Sequence, residues 1–229
     1  MTVPADSFAA WLRRLPLLPS DARVYLFDGR LKGNQNAHMA VVDMDVGTRN
    51  LQQCADAVMR LRAEYLLFSQ REQEIAFHAT SGDLLAWSRW RRGERPEVHG
   101  NRVLWRDGGR ADGAYGSFRR YLNFVFAYAG SASLAAELET VSDPLTIQAG
   151  DVFIQGGFPG HAVLVVDVAH NTAGESRFLL AQSYMPAQQV HILRNPGGDG
   201  PWYAARAQGE LITPEWRFRY SDLRRFAQP

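Results

Sequence analysis

The sequence predicts an α+β fold, in which most helices precede a run of antiparallel strands. In the first half of the chain, apolar residues recur at three- and four-residue steps, as expected of helices packed on a core. In the second half, short apolar runs alternate with connections rich in Gly, Pro and Asn, a pattern typical of antiparallel strands. The 229 residues contain no internal repeat and no linker, so we expect a single domain over residues 1–229.

The first elements follow from helix stop signals and from alternation. A short helix is expected over residues 6–15, because Pro16 cannot continue it. Strands are expected over residues 24–27 and 37–46, with a polar turn over residues 32–36 between them. These segments form an N-terminal extension to the main core.

A longer helix carries the single cysteine. Asn50 is the expected N-cap, with Gln53 three residues later in a capping-box arrangement, and apolar residues then recur as far as Tyr65. With this cap, Cys54 lies about one turn inside the helix, where the field of the helix dipole is already weakening.

The middle of the chain is expected to carry a long insertion. Residues 84–92 fit either a strand or a helix. Residues 93–114 are rich in Gly, Arg and Asp, and a loop of that length inside a compact domain is usually functional or mobile. A helix resumes at Ser117, and a short helix capped at Ser131 or Ser133 follows it.

The second half is predicted to be mostly strands, because its apolar runs are short and bounded by turn residues. The expected elements are strands over residues 151–155, 161–168, 177–183, 189–193 and 216–220, and a terminal helix over residues 222–226.

Charge and composition exclude several classes of function. The 25 basic and 24 acidic residues give a net charge of +1, so bulk charge predicts neither nucleic-acid binding nor an anionic membrane partner. No apolar run reaches the roughly 18 residues of a membrane span, and no signal peptide is expected at the N-terminus. Cys54 is the only cysteine, and the six histidines lack metal-binding spacings, so neither a metal nor another cofactor is expected. The sequence leaves the compartment and the oligomeric state open.

Two residues are candidates for nucleophilic chemistry. Cys54 lies near the start of a helix, where the dipole favours a thiolate, although a free cysteine on an apolar stripe is often simply buried. His161 opens a predicted strand directly after the turn over residues 156–160, which places an imidazole at the rim of a sheet. A cysteine on a helix followed by a histidine on a strand is the order found in papain-like enzymes.

The sequence resembles two families, and the first resemblance strengthens this pairing. The stretches GDVF…PGHAVLVVD and QCADAVMRL resemble the histidine and cysteine motifs of the CHAP and NlpC-type cell-wall amidopeptidases, which have a papain-like fold. The chain from SFAAWLRRLPL through AQSYMPAQ to TPEWRF also resembles an uncharacterised bacterial family of unknown function over nearly its full length.

The amidopeptidase resemblance implies a catalytic Cys54–His161 pair with a polar residue that orients the histidine. Gln182 is the only amide side chain on the next predicted strand and takes that role, although a purely structural hydrogen bond would also explain it. An oxyanion hole would use the backbone N–H of Cys54 and a side-chain donor such as Gln53.

Lys32 is the only lysine among 25 basic residues. It lies with Gln35 in the polar turn over residues 32–36. We expect its compact ammonium to face the Cys54–His161 groove and bind a substrate carboxylate, with Gln35 beside it. A solvated turn is the alternative.

These observations favour a cysteine-dependent hydrolase of amide bonds, with no cofactor and with a peptide or peptidoglycan-like substrate that the resemblance implies. The alternative is a noncatalytic binding or structural protein with a papain-like core, in which Cys54 is core filler.

Overall fold

The computed structural model describes residues 4–227, and most of its elements are short strands around two longer helices. Numbered along the chain, they are α1 Phe8–Leu12, β1 His38–Val41, α2 Cys54–Phe68, β2 Ala76–His78, β3 Leu84–Ala86, α3 Trp87–Arg91, β4 Glu94–His99, β5 Arg102–Asp107, α4 Tyr115–Tyr128, α5 Ser131–Glu137, β6 Glu139–Thr140, β7 Val152–Gln155, β8 His161–His170, β9 Ser176–Gln182, β10 His191–Leu193, β11 Tyr203–Ala204, β12 Glu210–Ile212, β13 Arg217–Arg219 and β14 Leu223–Arg225.

The main sheet is antiparallel and follows the order β1-β10-β9-β8-β7-β14-β6, with β11 also paired to β9. Three two-stranded ribbons, β2–β3, β4–β5 and β12–β13, lie apart from this sheet. The chain therefore has the mixed α and β composition, with mostly antiparallel sheet, that the sequence predicts.

The alternation of side chains along β8 separates two cores. Ala162 and Leu164 belong to an apolar cluster that also contains residues of α2, whereas Val163 and Val165 belong to a second cluster on the other face of the strand. Residues 161–166 are all buried, so this part of β8 is covered on both faces. Helix α2 consequently lies across the same strand that begins at His161.

Helix α2 begins later than predicted. Its N-cap is Gln53 rather than Asn50, and the backbone N–H of Gln53 donates to Oδ2 of Asp56 at 3.0 Å. Asn50 is used elsewhere, because its Oδ1 accepts from the backbone N–H of Ala187 at 2.7 Å. Cys54 is therefore the first residue of the helix and not one turn inside it.

Several other elements also differ from the sequence prediction. The predicted loop over residues 93–114 is largely the hairpin β4–β5, and residues 84–92 form first β3 and then α3. The predicted terminal helix over residues 222–226 is strand β14, which pairs with both β7 and β6. Residues 24–27 make only isolated bridges.

Among residues 4–227, no helix combines the length and the apolar character needed to cross a membrane.

Candidate functional site

Cys54 is the first residue of α2, so its thiol lies at the N-terminal end of the helix. The backbone N–H groups of Ala162, Ala55 and Cys54 itself each act to lower the pKa of the thiol. The first N–H groups of a helix have no partner within the helix, so they are free to stabilise negative charge on sulfur or on an oxygen beside it.

The position of Ala162 relates the thiol to His161. The backbone N–H of Ala162, the second residue of β8, acts on the pKa of the thiol, so the sulfur lies close to the start of the strand that His161 opens. The His161 ring leans toward the second core, 5.3 Å from the Trp216 ring and 4.8 Å from the Tyr184 ring. No hydrogen bond joins the thiol to the imidazole within residues 4–227.

Gln182 connects His161 to a buried ion pair. Its Oε1 lies 2.9 Å from Nε2 of His161, and its Nε2 donates to Oε2 of Glu215 at 2.8 Å. The other carboxylate oxygen of Glu215 accepts from Nζ of Lys32 at 2.6 Å. A continuous chain of hydrogen bonds therefore runs from Lys32 through Glu215 and Gln182 to His161.

The orientation of the Gln182 amide is determined by two neighbours. The carboxylate of Glu215 is paired with Lys32 and can only accept, so the NH2 end of the amide faces it. His191 places Nδ1 2.9 Å from the carbonyl oxygen of Gln189, which also only accepts, so Nδ1 carries the proton. Its Nε2 is then an acceptor and faces the same NH2 group at 3.4 Å.

This orientation fixes the tautomer of His161. Because Oε1 of Gln182 is an acceptor, Nε2 of His161 must carry the proton in the neutral ring. Nδ1 is then the unprotonated nitrogen, and it is the ring nitrogen available to take a proton from a thiol.

Burial keeps both reactive groups uncharged in the free protein. Desolvation raises the pKa of the Cys54 thiol to about 11, although the facing N–H groups favour the thiolate. Desolvation also lowers the pKa of His161 to about 4, against the effect of its hydrogen bond with Gln182. A neutral thiol and a neutral imidazole are therefore the forms present near pH 7.

Lys32 and Gln35 have partners inside the protein instead of in a groove. Only 5% of Lys32 is exposed, and its ammonium is bound by Glu215, so it does not take the expected position as a ligand for a substrate carboxylate. The Gln35 side chain holds the turn around Lys32, because its Nε2 donates to the carbonyl oxygens of Lys32 at 2.8 Å and Val24 at 2.9 Å. The signal in the sequence for this role is the lone lysine itself, because a compact ammonium fits a small buried space.

A cleft of about 670 Å³ opens beside the thiol. Gln53 and Cys54 line one side. Nε2 of Gln53 donates to Oδ1 of Asn50 at 3.3 Å. The exposed side chains of Phe158 and Met185 line the other side, in the loops that precede β8 and follow β9. The volume is in the range of small-molecule and peptide sites.

Three residues of the site escaped the sequence prediction. Glu215, His191 and Tyr184 all surround the Gln182–His161 pair. Tyr184 and Glu215 lie in the stretches AQSYMPAQ and TPEWRF, which carry the full-length resemblance, and this is the signal that could have identified them. Among residues 4–227, no group of three or more His, Cys, Asp or Glu side chains is arranged to hold a metal ion.

Comparison with known proteins identifies the family and no activity. No curated protein and no solved structure matches the chain. The model of one family, described as a domain of unknown function (4846), matches residues 1–225, and the chain therefore belongs to this family.

Proposed function

We propose that this protein is a cysteine-dependent amide hydrolase, with Cys54 as nucleophile, His161 as general base and acid, and Gln182 as the residue that orients His161. The observation that carries the proposal is the position of Cys54 at the start of α2, close to the first residues of β8, where the backbone N–H groups of Ala162, Ala55 and Cys54 favour the thiolate.

In the proposed reaction, the sulfur attacks an amide carbonyl while Nδ1 of His161 takes the thiol proton. The backbone N–H of Cys54 donates to the oxyanion of the tetrahedral intermediate, with Gln53 as the expected side-chain donor. His161 then gives the proton to the leaving amine, which releases the amine and leaves a thioester on Cys54. A water molecule, deprotonated by His161, hydrolyses the thioester and restores the thiol.

The proposed core is papain-like, with a cysteine-bearing helix packed on an antiparallel sheet. Support comes from α2 lying on β8, and from His161 and Gln182 lying on the neighbouring strands β8 and β9. A cell-wall peptide is the substrate class implied by the motif resemblance. The apolar rim at Phe158 and Met185 suits an uncharged part of such a peptide next to the scissile bond.

The pH dependence of thiol alkylation tests the proposal. Because Cys54 is the only cysteine, the rate of reaction with iodoacetamide reports on this residue alone. If neutral His161 takes the proton of the neutral thiol during alkylation, the rate rises with pH as His161 loses its own proton, at its pKa of about 4. The rate then stays level up to the pKa of the thiol, about 11. We therefore expect a flat profile between pH 6 and about 9.

His161→Ala should remove this plateau, and Cys54→Ser should remove hydrolysis of peptidoglycan-derived peptides while leaving the fold intact. His170→Ala is the matched control, because His170 is an exposed residue at the far end of the same strand. In the alternative, a noncatalytic protein with Cys54 as filler, the wild-type rate would rise about tenfold for each pH unit, and His161→Ala would not change it.

A further inference from the structure

A second cavity lies near the middle of α2, away from the thiol. Its volume is about 550 Å³, and it is enclosed by α1, α2, the loop before β7 and the residues after β14. It shares no lining residue with the cleft beside Cys54. Arg62, one of its lining residues, lies eight residues along the helix from Cys54, or about 12 Å along the axis.

Arg62 is half-buried and has no hydrogen bond or ion pair within residues 4–227. Aromatic rings surround its guanidinium instead: Cζ lies 5.3 Å from the ring centroid of Phe8, 5.5 Å from that of Tyr65 and 5.1 Å from that of Phe226. Arg95 and Arg224 are also half-buried and have no carboxylate partner, but they donate to backbone carbonyl oxygens, which Arg62 does not. Burial lowers the pKa of Arg62, and the positive charge of Arg71 lowers it further.

The charges around the cavity are mainly positive. Four arginines and two aspartates line it: Arg14, Arg62, Arg71, Arg225, Asp6 and Asp151. Arg225 is bound to Asp151 at 2.6 Å, and Arg71 is bound to Glu74 at 2.5 Å. Arg62 and Arg14 are left without a carboxylate. Nη2 of Arg14 donates to the carbonyl oxygen of Ala5 at 3.1 Å, so the donors of Arg62 and the remaining donors of Arg14 can serve a ligand.

Gly150 allows the loop before β7 to contact the Phe8 ring of α1 closely in the cavity wall. Gly150 has φ +99°, and a Cβ there would lie 2.9 Å from the Phe8 ring. The glycine therefore lets the loop before β7 approach α1, which closes the aromatic wall around the guanidinium.

We propose that this cavity binds a small anion, a carboxylate or a phosphate, carried on a planar apolar group. The guanidinium of Arg62 donates to the anion, and the rings of Phe8, Tyr65, Phe226 and Trp11 contact the apolar part. This proposal is independent of the hydrolase proposal, because no residue of the cavity belongs to the Cys54 site.

Calorimetric titration of the full chain with phenyl phosphate, benzoate and inorganic phosphate tests the site. We expect saturable binding of at least one aromatic anion, tighter than that of inorganic phosphate by about fivefold or more. Phenyl phosphate binding alone would identify a phosphate site, and benzoate binding alone would identify a carboxylate site.

Arg62→Met keeps the apolar stem and removes the donors, so it should weaken binding by about tenfold or more. Arg49→Met, at an exposed position outside the cavity, is the control and should not change binding. Arg14→Met gives a second, milder test that does not alter the core, with an expected loss of about threefold. Absence of saturable binding up to about 10 mM of either aromatic anion, or equal binding by wild type and Arg62→Met, would overturn the proposal.

Discussion

At the scale of single residues, the site depends on which way one amide points. Gln182 is buried, and its two ends are nearly identical in shape, so packing alone would not distinguish them. Glu215 and His191 both require its NH2 end to face them. The oxygen end of the amide therefore accepts a hydrogen bond from Nε2–H of His161, and Nδ1 is the unprotonated ring nitrogen.

We predict that nitrogen-15 NMR of the wild-type protein near pH 7 shows His161 protonated on Nε2 and His191 protonated on Nδ1. Glu215→Gln lets position 215 offer either a donor or an acceptor, so the Gln182 amide can turn. We expect this variant to show a measurable population of His161 protonated on Nδ1, and a rate of Cys54 alkylation at pH 7 lower by about tenfold.

Glu210→Gln is the matched control, because Glu210 is an exposed carboxylate whose distance to Arg217 is 3.9 Å. If Glu215→Gln does not fold, the nitrogen-15 NMR measurement on the wild-type protein still tests the prediction. The opposite tautomer at His161 would contradict the orientation derived for Gln182. Correct tautomers without base-assisted alkylation would instead contradict only the hydrolase proposal.

The sequence predicts Cys54, His161 and Gln182 as candidate site residues because each lies in a recognisable local pattern: a helix start, a glycine-rich turn before a strand, and the following strand. Glu215 lies 33 residues after Gln182 in a connection between β12 and β13, and no local pattern links the two. The position of Lys32 could not be predicted for the same reason. The lone lysine indicates a tight contact with a carboxylate, but only the fold shows that Glu215 supplies it.

At the scale of elements, tertiary contacts decide where α2 begins. Asn50 is the better cap by propensity, but its side chain is bound to the loop before β10. The helix therefore starts at Cys54, with Asp56 at its third position. This carboxyl is buried, and its Oδ1 has no hydrogen-bond partner.

Asp56 makes the stability of the protein depend on pH. Burial raises its pKa to about 8, so the folded protein keeps this carboxyl protonated when the unfolded chain has already ionised it. The stability that the raised pKa of Asp56 contributes is therefore fully present below about pH 4 and is lost as the pH rises to about 8. We predict that Asp56→Asn, which cannot ionise, gains roughly 2–5 kcal/mol relative to wild type between pH 4 and 8.

Denaturant unfolding at a series of pH values measures this difference. Asp43→Asn, an exposed carboxyl replaced in the same way, should give a curve parallel to that of wild type. Parallel curves for wild type and Asp56→Asn would mean that Asp56 is ionised in the folded protein.

The hairpin β4–β5 and strand β14 differ from the prediction for two different reasons, charge in the first and short length in the second. The hairpin β4–β5 has charged residues along both strands, and the ion pair between Arg106 and Glu97 at 3.0 Å links them across the ribbon. Strand β14 has too few residues to show a period, and it is a strand because Leu223 pairs with Phe153 in β7. Long helices with clear periodicity, such as α4, are predicted well.

At the scale of the whole molecule, the cleft beside Cys54 is assembled from distant segments. Its lining comes from the residues before α2, the start of α5, the turn before β8 and the loop after β9. Apolar and small side chains dominate, and no Lys, Arg or His lines it among the described residues. Lys32, the only lysine of the chain, does not line the cleft and is paired with Glu215. The sequence alone could not show this, because the charge of a cleft depends on which segments meet.

A cleft without cations should discriminate against anionic reagents. The measured quantity is the ratio of the alkylation rate with neutral iodoacetamide to that with anionic iodoacetate. The chain unfolded in denaturant gives the intrinsic value of this ratio, and we predict that the ratio is about tenfold higher for the folded wild-type protein. Ala132 is an exposed residue of α5 on the cleft wall, so Ala132→Arg adds a cation without disturbing the core. We expect Ala132→Arg to raise the iodoacetate rate several-fold and Ala132→Gln, a neutral side chain of similar reach, to leave it unchanged. Faster reaction of wild type with iodoacetate than with iodoacetamide would instead indicate a protonated His161 beside a thiolate, which contradicts the neutral pair derived from burial.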